Sequence, residues 1–317
     1  MSGVVTSASK LSFVIPCYGS EKTISAVVSS IVATVGNKNP YEIICVNDGS
    51  PDGVYSVLER LAAENGHVKV VNLSRNFGQH NALMAGYRVV TGDIVVSLDD
   101  DGQTDPRFCY ELVNALGDDV DVVYAKYLNK KHGRFRNFGT KMSKIMKVWL
   151  ADWPKDITST SYFAAKRFVI GEIVKYPNPY TFTTGLVART TKKIANVEIE
   201  HFERMTGRSG YTFMKLLDLW LNGFTQFSVK PLRISTVVGV IVAVCGLLFS
   251  LVIVVRKFCN PNITLGYSSL MCVILFIGGM IMVMLGLIGE YIGRVYICMS
   301  KSPQYVVRNT INVDDEH

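Results

Sequence analysis

Short apolar runs alternate with helical spacings through the first third of the chain. Residues 11–16 (LSFVIP) read as a strand, and residues 21–35 place apolar positions at helical intervals. Residues 41–46 are a second strand, stopped by the turn Asn47-Asp48-Gly49-Ser50. Residues 68–73 form a third strand, 81–90 a helix and 93–98 a fourth strand. Strands that are apolar almost throughout, rather than alternating, are buried on both faces. The expectation is a parallel sheet with helices on either side. Ligands of such sheets bind at the carboxyl ends of the strands, where the loops converge.

Further along, the pattern changes. Residues 234–255 contain no charge, and neither do residues 270–288, with apolar character continuing past Glu290 toward Met299. A helix needs about 20 residues to cross the hydrocarbon of a bilayer, so both stretches are expected to span one. The short loop 256–269 holds Arg256 and Lys257, whereas Lys230, Arg233, Arg294, Lys301 and Arg308 lie on the opposite side. That bias puts both termini in the cytoplasm. The run at 11–16 is too short for the core of a signal peptide. Glycines 239, 246, 278, 279, 286, 289 and 293 allow close approach of the spans to each other or to a neighbouring subunit. The expected divisions are an α/β domain over 1–210, a juxtamembrane amphipathic helix over 211–230, a two-helix membrane region over 231–300 and a cytosolic tail over 301–317.

Composition agrees with this division. Of 317 residues, 49% are hydrophobic and 19% charged, which excludes a disordered chain. Seven cysteines without a C-x-x-C pair suggest neither a disulfide framework nor a zinc site. The net charge of +7 has a local origin. Residues 122–151 hold eight cations and no acid, with Phe135, Phe138, Met142, Ile145, Met146 and Trp149 at helical spacing. A basic amphipathic helix over 131–150 is expected to lie on anionic lipid, each cation adding about 1 kcal/mol. The alternative is a solvated basic face packed on the domain; nucleic acid is not indicated, since no recognition motif accompanies the charge. A second amphipathic helix over 211–228, with Trp220 and Phe224 on its apolar side, leads into the first span.

The candidate chemistry lies at the strand ends. The first strand ends at Pro16-Cys17-Tyr18, the second at Asp48, and the fourth at Asp99-Asp100-Asp101. Adjacent carboxylates repel, so a buried strand end carrying three of them calls for a counter-charge. Asp99 and Asp101, two apart, can turn to one side and share a hard cation through oxygen ligands. Such an ion neutralises a diphosphate and assists its departure. A solvated acidic turn capping the next helix is the simpler alternative.

In order, these motifs are V-I-P-C-Y-x-S-E (14–21), V-N-D-G-S (46–50), L-S-R-N-F-G-Q (73–79) and G-D-I-V-V-S-L-D-D-D-G-Q (92–103). The set resembles the family-2 inverting glycosyltransferases of the GT-A fold, and among them the polyprenyl-phosphate glycosyltransferases. The resemblance extends to G-L-I-G-E-Y-I-G-R at 286–294. It implies that Pro16, Tyr18, Glu21 and Asp48 line a nucleotide pocket. It also implies that Asp99 and Asp101 hold Mg²⁺ or Mn²⁺, with Gln103 close to the sugar or metal. Asp156, in the D-x-T segment 156–158, is implied to sit near the acceptor as a base or positioning carboxylate. Arg204, with Arg208 and Ser209 in the same segment, is implied to contact phosphates. The implied partners are a nucleotide-sugar, a UDP-sugar in the first instance, and a polyprenyl phosphate. A homo-oligomer, in one form a tetramer, is also implied.

Three positions depart from the family pattern: Gly19 replaces Asn, Gly210 replaces Lys, and Tyr162 stands where Arg commonly follows the D-x-T segment. Two other readings remain at this stage. A processive polysaccharide synthase would carry Q-x-x-R-W, which is absent. A catalytically inactive membrane scaffold of the same fold would draw its support from Tyr162 and Gly210.

Overall fold

The computed structural model describes residues 9–102, 104–127, 153–199, 266–300 and 302–313, with scattered positions between 237 and 255. The expected basic helix over 131–150, the amphipathic helix over 211–228 and most of the first apolar span lie outside these residues.

The first unit comprises Met1–Tyr211 and Ser302–His317. Its sheet has eight strands: β1 (Leu11–Cys17), β2 (Tyr41–Asn47), β3 (Val68–Leu73), β4 (Ile94–Ser97), β5 (Val122–Tyr127), β6 (Phe163–Lys166), β7 (Ile194–Ile199) and β8 (Val307–Ile311). They are ordered β7-β5-β6-β4-β1-β2-β3-β8. The four strands expected from the sequence are present and mutually parallel, β1 lying between β2 and β4. The sheet as a whole is mixed, because β6 runs antiparallel to both β4 and β5, and β8 antiparallel to β3.

Helices cover both faces, as the near-continuous apolar strands require. Leu11, Phe13, Ile15 and Cys17 of β1 face α1 (Ile24–Val35), α2 (Val54–Glu64) and α4 (Cys109–Asn114). Val14, Ile44 and Val46 face α3 (Gln79–Arg88), α5 (Arg167–Ile173) and α6 (Thr183–Thr190). Helix α2 is not among the expected elements, although Val54, Leu58 and Ala62 give it a buried stripe.

Within the expected cytosolic tail 301–317, residues 307–311 form β8, and Ser302–His317 groups with the sheet. The sequence of β8, VRNTI, alternates too weakly to announce a strand, and all but Ile311 are exposed. Backbone pairing with the open edge of β3 makes it one.

The second unit is Thr212–Lys301. Its described helix, α7, runs 33 residues from Tyr267 to Met299, so the last residues of the expected loop are already helical. Within it Phe276–Met299 is long and apolar enough to cross a membrane, with a mean hydropathy of 1.8. It is the one such helix among the described residues.

At the amino ends of the strands lies a buried ion cluster. The Glu42 side chain is 2% exposed, with Lys10 and Lys69 each 3.0 Å from its carboxylate. Ser12 Oγ, Thr91 N and Thr91 Oγ1 also donate to it. Burial alone would raise its pKa; the hydrogen bonds from Ser12, Thr91 and Lys69 outweigh burial and hold it at about 2. A carboxyl depressed in the folded state stabilises the fold above its unfolded pKa and loses that contribution as pH falls through the folded value. The shift from 4.5 to about 2 corresponds to about 3 kcal/mol. Thermal unfolding of the full chain in detergent should therefore show stability draining away between pH 5 and 2. Glu42→Gln should lower the midpoint at pH 7 and flatten that acid limb.

Candidate active site

Pro16, Cys17, Tyr18, Asp48, Asn76, Gly78, Gln79, Asp99, Asp100 and Asp101 line one cavity of about 340 Å³, a size within the range of ligand pockets. The loops that build it follow β1, β2, β3 and β4, at the carboxyl edge of the sheet. Of the residues expected at the site, Pro16, Tyr18, Asp48, Asp99 and Asp101 are thus brought together. Gln103, Arg204, Arg208 and Ser209 lie outside the described residues.

Asp48 is 2% exposed, and both its oxygens are occupied. Oδ1 accepts from Phe77 N at 2.7 Å and Oδ2 from Gly78 N at 2.9 Å. The carboxylate therefore clamps the loop after β3 against the end of β2. Burial raises its pKa, and the two amides work in the opposite direction.

Glu21 is exposed and does not line the cavity; its Oε2 accepts from Gly53 N at 3.1 Å, and its own amide donates to Asp52 Oδ2. It fixes the loop after β2 from outside.

The three carboxylates after β4 have different surroundings. Asp99 Oδ1 accepts from Gln79 Nε2 at 2.9 Å, and Oδ2 accepts a short hydrogen bond from Ser161 Oγ. Burial pushes Asp99 up to about 6; Ser161 and Gln79 hold it down, while the Asp101 and Asp100 charges push it further. Asp100 turns back to the backbone, accepting from Tyr18 N at 3.0 Å, while its carbonyl accepts from Thr23 Oγ1 at 2.6 Å. Burial raises the Asp100 pKa as well, against the hydrogen bond from the Tyr18 amide. Asp101 stands half-buried at the same cavity.

This donor set fits a hard divalent cation. Two carboxylates, two residues apart, face one cavity, and among the described residues the side chains that grip Asp99 are the neutral donors Gln79 and Ser161. Burial and the neighbouring Asp101 and Asp100 charges raise the Asp99 pKa, and a bound cation would oppose that rise. No three His, Cys, Asp or Glu side chains converge as a complete ligand set among the described residues.

Asp156 lies exposed on the turn at 155–156, outside the cavity lining. Its segment is nevertheless tied to the site: Thr158 exchanges hydrogen bonds with Asn196, and Ser161, three residues further on, reaches Asp99. Tyr162 is fully buried in the core and donates from its hydroxyl to the Asp105 carbonyl at 3.2 Å. A core side chain, rather than a lost phosphate contact, occupies that position.

Sequence reasoning assigned no role to Asn76, Gln79, Asp100 or Ser161. The first two stand in the L-S-R-N-F-G-Q run, so a motif was available to find them. Ser161 offers no such signal, because its partner is 62 positions away.

A family model described as Glycosyl transferase family 2 matches residues 12–175, and one described as GtrB C-terminal hairpin matches residues 230–295. The mixed sheet covered by helices is the GT-A fold. The chain belongs to glycosyl transferase family 2. It is 31% identical over 308 residues to an undecaprenyl-phosphate 4-deoxy-4-formamido-L-arabinose transferase of Proteus mirabilis, covering 96% of this chain and 94% of that one. An uncharacterized glycosyltransferase of Synechocystis is 32% identical over 300 residues, covering 94% of each chain. Among solved structures, glucosyl-3-phosphoglycerate synthase from Mycobacterium tuberculosis, in complex with Mn²⁺, UDP-glucose and phosphoglyceric acid, superposes with a TM-score of 0.51. It is 22% identical and covers 68% of this chain and 76% of its own, a likeness of fold.

Two glycines that follow cavity-lining residues have opposite tolerance. Gly49 has φ +58, and an added Cβ would lie 2.3 Å from the Arg75 carbonyl carbon, so both conformation and space demand glycine. Gly19 has φ +71 with open space around it, and its amide donates to Ser50 Oγ at 2.8 Å. Asparagine is among the few side chains enriched in that left-handed region, which reconciles Gly19 with the Asn of the family pattern. Gly49→Ala should destabilise by at least about 2 kcal/mol, from left-handed strain plus the clash. Gly19→Asn should stay within about 0.5 kcal/mol of the parent. Thermal midpoints of the two variants test the contrast.

Proposed function

We propose that this chain transfers a sugar, with inversion, from a UDP-sugar to a polyprenyl phosphate, undecaprenyl phosphate in the first instance, at the cytoplasmic face of a membrane. The observation that carries this reading is the presence in one chain of an acidic cavity at the strand ends and a helix fit to cross a bilayer. Along that helix Met282, Val283 and Met299 are 70–76% exposed, apolar side chains that suit lipid better than water. The name of the Proteus relative supports undecaprenyl phosphate as acceptor. The hairpin match over 230–295 supports a second span at 234–255.

The reaction is one displacement: a phosphate oxygen of the lipid bonds to the anomeric carbon as the bond to the nucleoside diphosphate breaks. Asp99 and Asp101 would hold Mg²⁺ or Mn²⁺, which when bound supplies charge to offset that building on the departing diphosphate. Gln79 and Ser161 orient the Asp99 carboxylate. Asp48 and Asp100 fix the backbone at 77–78 and at Tyr18, so the pocket walls are set before donor arrives. Gln103 is assigned to the sugar or metal, and Arg204, Arg208 and Ser209 to phosphates. A lipid phosphate is already anionic at neutral pH, so Asp156 orients the acceptor rather than deprotonating it. The cations of 131–150 bind anionic lipid beside the acceptor, and both termini are cytosolic. The chain works as a homo-oligomer, a tetramer being one form. A scaffold without activity loses one of its two supports, since Tyr162 is accounted for by packing.

Transfer from radiolabelled UDP- and GDP-sugars to undecaprenyl phosphate in detergent, with Mn²⁺ or EDTA, tests this reading. Label should enter the organic phase with a UDP-sugar and disappear with EDTA. Asp99→Asn should lower the rate by about a hundredfold or more, and Asp156→Asn by distinctly less. Equal losses would remove the positioning role given to Asp156; no transfer and no nucleotide binding would return the scaffold reading.

A further inference from the structure

The strand β8 follows the long apolar helix in sequence and meets the sheet at β3, where Asn309 pairs in register with Asn72. From this pair a row of side-chain amides runs across the sheet toward the donor cavity. Asn309 Nδ2 donates to the Tyr55 hydroxyl at 2.6 Å, and Asn309 Oδ1 accepts from Asn72 Nδ2 at 2.8 Å. Asn72 Oδ1 accepts from Asn47 Nδ2 at 2.9 Å, and Asn47 Oδ1 accepts from the amide of Ser50 at 3.1 Å. Ser50 Oγ in turn accepts from Gly19 N at 2.8 Å and donates to Asp52 Oδ1 at 2.6 Å.

Each amide in the row donates toward β8 and accepts from the side of the cavity, so the dipoles align and reinforce one another. Asn47 and Asn72 are buried, at 5% and 6% exposure, and have no water to fall back on. Their neighbours are the pocket itself. Asn47 precedes Asp48, whose carboxylate clamps residues 77 and 78, and Gly19 follows Tyr18 on the cavity wall. The outer end of the row is held by an exposed residue of a strand that contributes nothing to the cavity lining.

We propose that Asn309 is a positioning residue for the donor pocket, acting through Asn72 and Asn47 on the turn at 47–50. The proposal rests on the reading of that cavity as a nucleotide-sugar site. It assigns a role to the chain beyond the apolar helix: the pocket depends on a strand that arrives from the far side of that helix in sequence. Donor affinity is the quantity under its control, because the turn it holds carries pocket walls and no reacting atom.

The experiment uses the full chain in detergent with three variants. Asn309→Leu keeps the volume and removes the hydrogen bonds. Asn309→Asp keeps oxygens that accept from Asn72 and from the Tyr55 hydroxyl. Thr310→Val alters the neighbouring position and leaves the row intact. Amide hydrogen exchange across residues 47–53 and binding of UDP and GDP with Mn²⁺ are measured on each, with steady-state kinetics where transfer is observed. Asn309→Leu should speed exchange at 47–53 without changing residues 163–173, and weaken nucleotide binding about five- to tenfold, the worth of one buried hydrogen bond. Donor KM should rise in proportion while kcat holds within about twofold. Asn309→Asp should restore both readouts, and Thr310→Val should match the parent. Unchanged exchange at 47–53, faster exchange everywhere alike, a fall in kcat with constant KM, or no rescue by Asp would each overturn the proposal. A parent protein that binds neither nucleotide would overturn the nucleotide-site reading instead, and exchange at 47–53 would still decide whether Asn309 holds the turn.

Discussion

Like charges crowded at the end of a buried strand set the terms for the whole pocket. Two unit charges 4 Å apart repel by about 4 kcal/mol at an effective dielectric constant of 20, and β4 ends in three carboxylates in succession. The protein separates them by function. Asp100 is turned onto backbone, Asp99 is gripped by an amide and a hydroxyl, and Asp101 stands at the cavity. The opposite edge of the sheet shows the contrasting solution. There Glu42 is more deeply buried than any of the three, yet two lysines and three hydroxyl or amide donors keep it ionised down to about pH 2. One edge of the sheet satisfies its carboxylate with two lysines; at the other, the described partners of Asp99 and Asp100 are neutral.

How the sheet is held together explains how the pocket keeps its shape. Four parallel strands place four loops side by side, but loops drift unless something spans them. Here side chains of the loops span one another: Asp48 reaches residues 77 and 78, Asp100 reaches Tyr18, and Glu21 reaches Gly53. Asp48 and Glu21 were expected to face the ligand, and Asp100 was given no role. Two of them line the cavity while spending their oxygens on backbone, and Glu21 stands outside it. A motif residue in this fold thus serves recognition by fixing a wall at least as much as by touching what lies inside.

The parallel core and its acidic edge were legible because each strand is apolar throughout and each ends in a polar turn. Asp99 and Asp101 were legible for the same reason. The strands beyond β4 were not: β5 and β7, which pair in parallel, and the antiparallel β6 are separated by loops, and their pairing is fixed by neighbours far along the chain. The exposed strand β8 was read as a tail because nothing in VRNTI is patterned for burial. Ser161 shares this limit, since a hydrogen bond between distant residues leaves no periodicity behind. Tyr162 illustrates the converse. Its departure from the family pattern suggested a lost contact, and only the packing around it shows a core residue.

The pairing of β8 with β3 also orders events in time. Asn72 and Asn309 are 237 residues apart, so during synthesis β3 waits through most of the chain, the long apolar helix included, before its partner exists. Until then the edge of the sheet presents unpaired amides and carbonyls, the arrangement that invites strand addition from another chain. Contacts of such separation are also slow to form, because the entropy of closing so large a loop comes first. A ribosome that stalls between β7 and β8 would therefore hold a sheet with an open edge, although most of its strands already exist.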